Sequence, residues 1–239
     1  MTASEPAARP TAADLSRLLD VPFDDPSLLD RALTHRSWAF EHGAVPNERL
    51  EFLGDAVLAL VVTDEVFHAH PDQQEGRLAK VRSAAVKTGS LAAIAREIGL
   101  GRFVKLGRGE DASGGQDKDS ILADTLEAVI GAVYLDRGFA TAYELVQRLF
   151  AERLADLAEL EAALDYKTSL QELSAAQYEQ LPQYVVEDEG PDHEKLFTAE
   201  VHIDGRVIGR GEGRSKKQAE QRAAREAFQA LQAAADGVG

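Results

Sequence analysis

The sequence predicts a mainly α-helical protein in which an all-α domain is followed by a small α-β-β-β-α domain. Two observations support this prediction. From Asp14 to about Ala163, apolar residues recur every three or four positions in segments rich in Ala, Leu, Glu and Arg, as in amphipathic helices. After about Asp165 the pattern changes to a helix, three runs of alternating apolar and polar residues, and a final helix.

The segments follow one another in a simple order. Residues 1–13 lack apolar periodicity and are expected to form a disordered tail. The helical domain is expected over 14–160, a linker over 161–166 and the small domain over 167–234. Within the small domain we expect a helix in KTSLQELSAAQ, strands in QYVVEDEG, LFTAEVHIDG and RVIGRGEG, and a last helix from about Ser215 to Ala233. The glycine-rich GRGEG is interpreted as a turn.

Composition excludes several classes of function. The chain has 239 residues and no cysteine, so disulfides, zinc-thiolate sites and a cysteine nucleophile are excluded. The N-terminal residues do not have the pattern of a signal peptide. The longest apolar run, AVLALVV, is far shorter than the roughly 18 residues that span a bilayer. We expect a soluble, cytoplasmic protein with no membrane or disulfide partner.

The segment NERLEFLGDAVLALVV places carboxylates among apolar residues. Glu51 and Asp55 are four residues apart, so they share one helix face with their Cβ atoms roughly 6 Å apart. Their apolar neighbours imply partial burial, and unpaired buried carboxylates are costly, so a cation is expected between them. Asn47 is an expected N-cap. Glu48 then either compensates the helix dipole or belongs to the same acidic site.

A second segment, SILADTLEAVIGAVYLDRGF, repeats the arrangement with Asp124 and Glu127 three residues apart. The pattern D-x-x-E is also a capping box, so helix capping is an alternative, with Ser120 as a competing cap. Four carboxylates from two crossing helices would form an all-oxygen site suited to Mg²⁺, with Mn²⁺ as a substitute. A pair of such ions roughly 4 Å apart could activate water and stabilise the leaving oxygen of a phosphodiester.

These motifs resemble a known family. NERLEFLGDAVL, with ALTHRS before it and SILADTLEA after it, resembles the signature of ribonuclease III. KTSLQEL, GPDH and RSKKQAEQRAA resemble the double-stranded-RNA-binding domain that follows in bacterial members. The resemblance implies a homodimeric, Mg²⁺-dependent endonuclease that cuts double-stranded RNA in rRNA precursor and mRNA maturation or decay. Its products would have 5′-phosphate and 3′-hydroxyl ends with short 3′ overhangs.

The resemblance also implies roles for individual residues. The metal ligands would be Glu51, Asp55, Asp124 and Glu127, of which Asp55 and Glu127 would also be catalytic, with Glu48 as an accessory acid. Phe52 matches an aromatic residue that inserts into a pocket of the partner subunit, and ordinary core packing is the alternative. A metal-bound water can be the nucleophile, so no catalytic His or Ser is required.

Duplex RNA is expected to bind the C-terminal domain. Residues 205–225 carry seven basic and two acidic side chains within a chain of net charge −15, and a local field of this kind attracts a polyanion. Two lysines at the start of a helix are suited to phosphate, with a solvated helix face as the alternative. By resemblance, the RNA contacts would be Thr168, Gln171, Glu172, Pro191, His193, Lys216 and Lys217.

Two features depart from the family pattern. The run GGQDKDSILAD is more acidic than usual, so Asp117 and Asp119 would either weaken RNA contact or join the metal shell. Residues 165–239 also carry nine basic against fourteen acidic side chains. RNA binding is therefore expected to depend on the basic run at 205–225.

Two other functions remain open from the sequence. The first is a non-catalytic double-stranded-RNA-binding protein on the same scaffold, although all four acids are present. The second is a small all-α carboxylate-metal hydrolase acting on nucleotides. That function explains the paired acids but not the C-terminal domain.

Overall fold

The structure is a computed structural model that describes residues 10–71, 73–191 and 195–236, apart from the side chains of 158–165 and 234–236. The chain divides into two compact units between Ala155 and Asp156. The α-helices are α1 (Ala12–Leu18), α2 (Pro26–Ala32), α3 (Arg36–His42), α4 (Glu48–Ala69), α5 (Glu75–Val86), α6 (Thr88–Glu97), α7 (Arg108–Ala112), α8 (Asp119–Tyr178) and α9 (Lys216–Asp236). The strands are β1 (Gln183–Glu189), β2 (Leu196–Ile203) and β3 (Arg206–Gly213). The predicted mainly α fold is confirmed.

The first unit is helical, and α4 and α8 supply much of its core. Their buried faces carry aliphatic residues at helical spacing, as the sequence pattern predicted. The buried side chains on these two helices include Leu50, Val57, Leu58, Val61, Val62, Leu122, Leu126 and Ile130. Gly138 interrupts α8 with φ 80° and ψ 177°, a conformation that favours glycine.

Helix α4 begins at Glu48, and Asn47 occupies the predicted N-cap position, but its side chain does not cap the helix. Asn47 has helical φ and ψ, and its side chain makes no capping hydrogen bond. The side chain is buried and its Nδ2 donates to the carbonyl oxygen of Ala32 at 3.2 Å. Its backbone N–H donates to Thr34 O at 3.0 Å. Asn47 therefore fixes the start of α4 against the end of α2.

The domain edges differ from the expected ones in two places. Thr11 and Asp14 form a capping box, so α1 begins at Ala12, inside the expected tail; residues 1–9 lie outside the described residues. The expected linker at 161–166 falls within α8. The surrounding sequence ELEAALDYK explains the continued helix, because it is rich in strong helix formers.

The second unit contains a three-stranded antiparallel sheet in the order β1-β2-β3. Its buried residues include Leu170 of α8, Val201 of β2, and Ala223 and Ala227 of α9. The interpretation of GRGEG as a turn is wrong, because these residues belong to β3. The glycines are needed where β3 packs on α9: a Cβ at Gly211 would lie 2.3 Å from the backbone nitrogen of Ala223.

Within the described residues, no helix has both the length and the apolar character that crossing a membrane requires.

Candidate active site

Two glycines bring the acidic residues of α4 and α8 together. A Cβ atom at Gly54 would lie 1.7 Å from the carbonyl oxygen of Glu127, and a Cβ atom at Gly131 would lie 2.3 Å from the carbonyl oxygen of Leu50. The two helix backbones therefore touch, and neither position has room for a side chain. Gly54 lies directly before Asp55 in the sequence, so the crossing holds the acids of α4 close to those of α8.

Three of the four predicted metal ligands form a close group. One carboxylate oxygen from each of Glu51, Asp124 and Glu127 lies within 4.8 Å of the other two. All three residues are partly buried. A group made only of carboxylate oxygens suits a hard divalent cation such as Mg²⁺ or Mn²⁺. The donor set therefore fits the metal that the sequence predicted.

Burial and mutual repulsion raise the pKa values of these carboxyl groups. The pKa of Glu127 is raised to about 8, first by burial and then by the charges of Asp55, Asp124 and Glu51. Burial also raises the pKa of Glu51, with smaller contributions from Asp124, Glu48 and Asp55. The pKa of Asp124 is likewise raised by burial. These shifts indicate carboxylates that lack a sufficient compensating charge, and a bound divalent ion supplies such a charge.

The remaining predicted acids lie at the edge of the group. Asp55 is exposed and is not among the three residues whose oxygens lie within 4.8 Å. It directly follows Gly54, which packs against the backbone of Glu127. Its charge is the largest contribution, after burial, to the raised pKa of Glu127. Glu48 is exposed and lines the cavity next to Glu51. Glu48 therefore lies both in the first turn of α4 and in the wall of the acidic cavity, so its position agrees with both interpretations.

The capping interpretation of Asp124 and Glu127 is wrong. Helix α8 begins at Asp119, and its first turn already contains the hydrogen bond from Leu122 N to Lys118 O at 3.0 Å. Asp124 and Glu127 therefore lie in the second and third turns, where the backbone N–H groups have helical partners. Their side chains are available to the acidic group.

Asp117 and Asp119 do not belong to this acidic group. Arg96 Nε donates to Asp117 Oδ1 at 2.6 Å, and Arg96 Nη2 donates to Asp119 Oδ1 at 2.7 Å. The alternative in which these acids join the metal shell is therefore wrong, because Arg96 of α6 binds both of them. This pairing also offsets much of their charge.

A cavity of about 510 Å³ opens beside the acids. Besides Glu48, Glu51 and Asp124, its lining includes side chains that sequence reasoning did not assign to the site, namely His35, Arg36, Glu110 and Lys118. His35 and Arg36 belong to the ALTHRS motif, and this motif was the sequence signal that could have placed them in the site. Glu110 and Lys118 form an ion pair at 2.5 Å and carried no sequence signal.

His35 is a structural part of the cavity wall. Its Nδ1 accepts from the backbone N–H of Ser37 at 3.3 Å and caps α3. Ser37 Oγ in turn accepts from the backbone N–H of Gly107 at 2.9 Å. Burial lowers the pKa of His35, which favours its neutral form. His35 and Ser37 therefore connect the start of α3 to the segment that precedes α7.

In the second unit, the predicted RNA-contacting residues that the structure describes are exposed. They are Thr168, Gln171 and Glu172 of α8, Pro191, and Lys216 and Lys217 of α9. Ser215 Oγ accepts from Gln218 N at 3.2 Å and thereby caps the helix that begins with the two lysines. His193, the remaining predicted contact, lies outside the described residues.

The basic run at 205–225 does not form one continuous patch. Arg206 begins β3 and pairs with Ile203, whereas Arg214 follows the other end of the strand, roughly 25 Å away at about 3.3 Å per residue. Arg210 forms an ion pair with Glu200 at 2.9 Å. Of the basic run, Arg214, Lys216 and Lys217 therefore adjoin the start of α9, whereas Arg206 lies at the other end of β3.

Comparison with known proteins agrees with both units. A family profile described as "Ribonuclease-III-like" matches residues 25–154, and one described as "Double-stranded RNA binding motif" matches residues 166–231. The chain is 61% identical over 212 residues to "Ribonuclease 3" of Thermobifida fusca, covering 88% of each protein. It is 58% identical over 211 residues to "Ribonuclease 3" of Streptomyces coelicolor, covering 88% of this chain and 76% of the relative. The chain belongs to the ribonuclease III family.

Solved structures support the same assignment for the nuclease part. Two solved structures of the nuclease domain of ribonuclease III from Campylobacter jejuni align with a TM-score of 0.55 and 45% identity, covering 58% of this chain and 92% and 94% of those chains. With its nuclease domain and its double-stranded-RNA-binding motif, this ribonuclease III chain is an endoribonuclease of double-stranded RNA.

Phe52 of this ribonuclease III chain does not pack in the core. Its side chain is 81% exposed, although it lies next to Glu51 in α4. Leu60 and Phe67 on the same helix are also exposed, and their spacing places all three on one face. The core-packing alternative for Phe52 is therefore wrong.

Proposed function

We propose that this chain hydrolyses phosphodiester bonds of double-stranded RNA with Mg²⁺, for which Mn²⁺ can substitute. The products would carry 5′-phosphate and 3′-hydroxyl ends with short 3′ overhangs. The observation that carries the proposal is the group of Glu51, Asp124 and Glu127, whose oxygens converge within 4.8 Å at the crossing of two helices. A group of acids this close is unfavourable without a cation, and family membership supplies the substrate class.

Each acid has an assigned role in this proposal. Glu51, Asp124 and Glu127 would hold the ion, and Asp55 would add a fourth carboxylate from the exposed edge. When bound, Mg²⁺ lowers the pKa of a coordinated water and stabilises negative charge on the phosphate. We assign Asp55 and Glu127 to catalysis because their motifs match those of the ribonuclease III family, and Asp55 directly follows Gly54, which packs against the backbone of Glu127. Glu48, at the cavity rim, would be an accessory acid.

The C-terminal domain would hold the duplex through its shape and its phosphates. Duplex RNA is recognised through 2′-hydroxyls and phosphates because its deep groove excludes side chains. The first helix of the domain and the 190–193 loop would contact minor grooves, and the start of α9 would contact the phosphates between them. The residues proposed for these contacts are Thr168, Gln171, Glu172, Pro191, His193, Lys216 and Lys217. We assign the nuclease to residues 14–160 and RNA binding to 167–234.

We further propose that the chain works as a homodimer in which each subunit cuts one strand. The exposed apolar face of α4, with Phe52, Leu60 and Phe67, supports this, because large apolar side chains at helical spacing are costly in water. One of the Campylobacter jejuni structures concerns a "region involved in dimer formation" of its nuclease domain. Phe52 would insert into a pocket of the partner subunit.

We propose that the enzyme acts in the cytoplasm in the maturation or decay of rRNA precursors and mRNA. Folded transcripts there contain the duplexes that the C-terminal domain would bind. The ribonuclease-III-like domain and the double-stranded-RNA-binding motif of this chain support a role in RNA processing.

One experiment separates this function from its alternatives. A long RNA duplex, a single-stranded RNA and mononucleotides would be incubated with the protein in Mg²⁺ and in EDTA, and the product ends would be sequenced. We expect cleavage of the duplex alone, only with Mg²⁺, with paired cuts that leave 3′ overhangs. An intact but retarded duplex would indicate a non-catalytic binding protein, and hydrolysis of mononucleotides would indicate the small carboxylate-metal hydrolase.

A further inference from the structure

Arg36 is a cation in the active-site cavity whose charge is not taken up by an ion pair. Three side chains in the cavity lining can carry positive charge: His35, Arg36 and Lys118. Lys118 Nζ is bound by Glu110 Oε1 at 2.5 Å and by Ser113 Oγ at 2.9 Å. His35 favours its neutral form, as described above. Among the described residues, no carboxylate forms an ion pair with the Arg36 guanidinium.

The backbone that carries Arg36 is held on both sides. His35 precedes it, and the backbone N–H of His35 donates to Lys105 O at 3.2 Å. Ser37 follows it, and its Oγ lies 2.8 Å from His35 Nδ1 and accepts from Gly107 N. The side chain of Arg36 is itself exposed. Arg36 therefore extends from a braced position into solvent beside the acids.

Arg36 lines the same cavity as two proposed metal ligands, Glu51 and Asp124. Its guanidinium forms no ion pair with either carboxylate, so it lies beside the acids at more than ion-pair distance. A divalent cation would offset part of the negative charge of those acids, which weakens their attraction for the guanidinium and leaves it able to bind an anion beside the ion. In the proposed reaction that anion is an RNA phosphate, which a guanidinium binds through two N–H groups.

We propose that Arg36 binds a non-bridging oxygen of the phosphate that is cut or of its neighbour on the same strand. This rests on the proposed function, since it assumes that the cavity receives an RNA backbone. Arg36 transfers no proton. It orients the phosphate over the carboxylate group and stabilises the negative charge that increases as the attacking oxygen approaches.

The first test compares cleavage by Arg36→Gln, Arg36→Lys and a matched control. Arg17→Gln makes the same change of charge on α1, where Arg17 is exposed and pairs with Asp14 outside the cavity. In single-turnover assays with saturating duplex and Mg²⁺, we expect Arg36→Gln to lower the rate about 10- to 100-fold, by analogy with other transition-state donors. Arg36→Lys should recover part of the rate because it keeps the charge without the planar fork. Arg17→Gln should cut within about twofold of the unmodified protein.

The second test measures binding without cleavage. In a Glu127→Gln background, adding Arg36→Gln should weaken duplex binding and flatten the dependence of affinity on salt by about one phosphate contact. Adding Arg17→Gln should leave that dependence unchanged. Thermal unfolding of each variant shows whether its fold is retained.

Three outcomes are distinguishable. Normal cleavage by Arg36→Gln with an unchanged salt dependence would overturn the proposal. Equal loss of activity and of thermal stability in Arg36→Gln and Arg36→Lys would also overturn it, because Arg36 would then be structural. Failure of the unmodified protein to cut any duplex would instead contradict the proposed function, and the salt dependence would still report on Arg36.

Discussion

Gly54 of α4 lies against the backbone of Glu127 of α8, so that a Cβ at residue 54 would be 1.7 Å from the Glu127 carbonyl oxygen. We predict that Gly54→Ala lowers the free energy of unfolding by more than about 3 kcal/mol, because the helices must separate and the core must repack. Chemical denaturation measures this change. Gly89→Ala is the matched control, since nothing lies within 4 Å of the point on α6 that its methyl group would occupy, and it should be neutral or slightly stabilising. An equally stable Gly54→Ala protein would contradict the close crossing.

The raised pKa of Glu127 predicts how the stability of the metal-free protein depends on pH. Its pKa of about 8 in the folded chain is above the ordinary 4.5, so the folded state holds this proton more tightly than the unfolded state. The resulting stability is fully present below about pH 4.5 and is lost as pH rises to about 8. Allowing for solvent access to the group, we expect a loss of roughly 1–3 kcal/mol, measured by urea unfolding in EDTA.

Glu127→Gln should remove most of that pH dependence, because its side chain cannot ionise. Mg²⁺ should stabilise the unmodified protein more at pH 8 than at pH 5, since protons compete with the ion for the same oxygens. If the free energy of unfolding of the metal-free, unmodified protein stays constant between pH 5 and 8, the pKa of Glu127 is not raised in the folded state.

Phe52→Ala should convert the proposed dimer to a monomer. Burying one phenyl ring from each subunit contributes about 1.5–3 kcal/mol per ring, so the dissociation constant should rise about 100-fold or more. The stability of the single chain should hardly change, because Phe52 is 81% exposed in it. Analytical ultracentrifugation at a series of protein concentrations measures the fractions of dimer and monomer and hence the dissociation constant. Leu181→Ala, at a position that is 65% exposed in the second unit, should leave the dimer unchanged. A Phe52→Ala protein that stays dimeric would place the interface elsewhere.

The double variant Lys216→Ala, Lys217→Ala should bind duplex RNA more weakly, with a salt dependence flattened by about two phosphate contacts. Both lysines are exposed at the start of α9. Arg206→Ala, at the opposite end of β3, is the control and should leave the salt dependence unchanged. Filter binding over a range of salt concentrations measures the slopes. Equal slopes for the double variant and the unmodified protein would show that the start of α9 does not contact phosphate.

Local sequence patterns were sufficient to predict most of the fold. The strand runs QYVVEDEG, LFTAEVHIDG and RVIGRGEG match β1, β2 and β3 closely, because alternation and turn residues act over a few positions. The spacing of the acids predicted that Glu51 and Asp55 share a face of one helix, and the resemblance to ribonuclease III implied that this face meets Asp124 and Glu127; the structure brings Glu51, Asp124 and Glu127 together. Periodicity shows which face of a helix a side chain occupies, and the apolar residues around it show that the face is partly buried.

Features that depend on contacts between distant segments were not predictable in this way. Gly54 and Gly131 are in contact where α4 and α8 cross. The apolar periodicity of each helix does not predict where two helices cross. The pairing of Arg96 with Asp117 and Asp119 joins residues more than twenty positions apart. Asn47 is a residue type that commonly caps helices, but its side chain instead donates a hydrogen bond to the carbonyl oxygen of Ala32. In each case a contact between distant segments determines the role of the residue, and that role differs from the one its local sequence suggests.

The central claim is that carboxylates at the crossing of α4 and α8 hold the ion that cuts RNA. Cleavage of a defined duplex in Mg²⁺ by Glu127→Gln tests it most directly, with duplex binding measured on the same preparation. Glu144→Gln is the control, because Glu144 is exposed farther along the same helix. The account predicts that Glu127→Gln binds the duplex normally and leaves it intact, whereas Glu144→Gln cuts like the unmodified protein. Normal cleavage by Glu127→Gln would contradict the account.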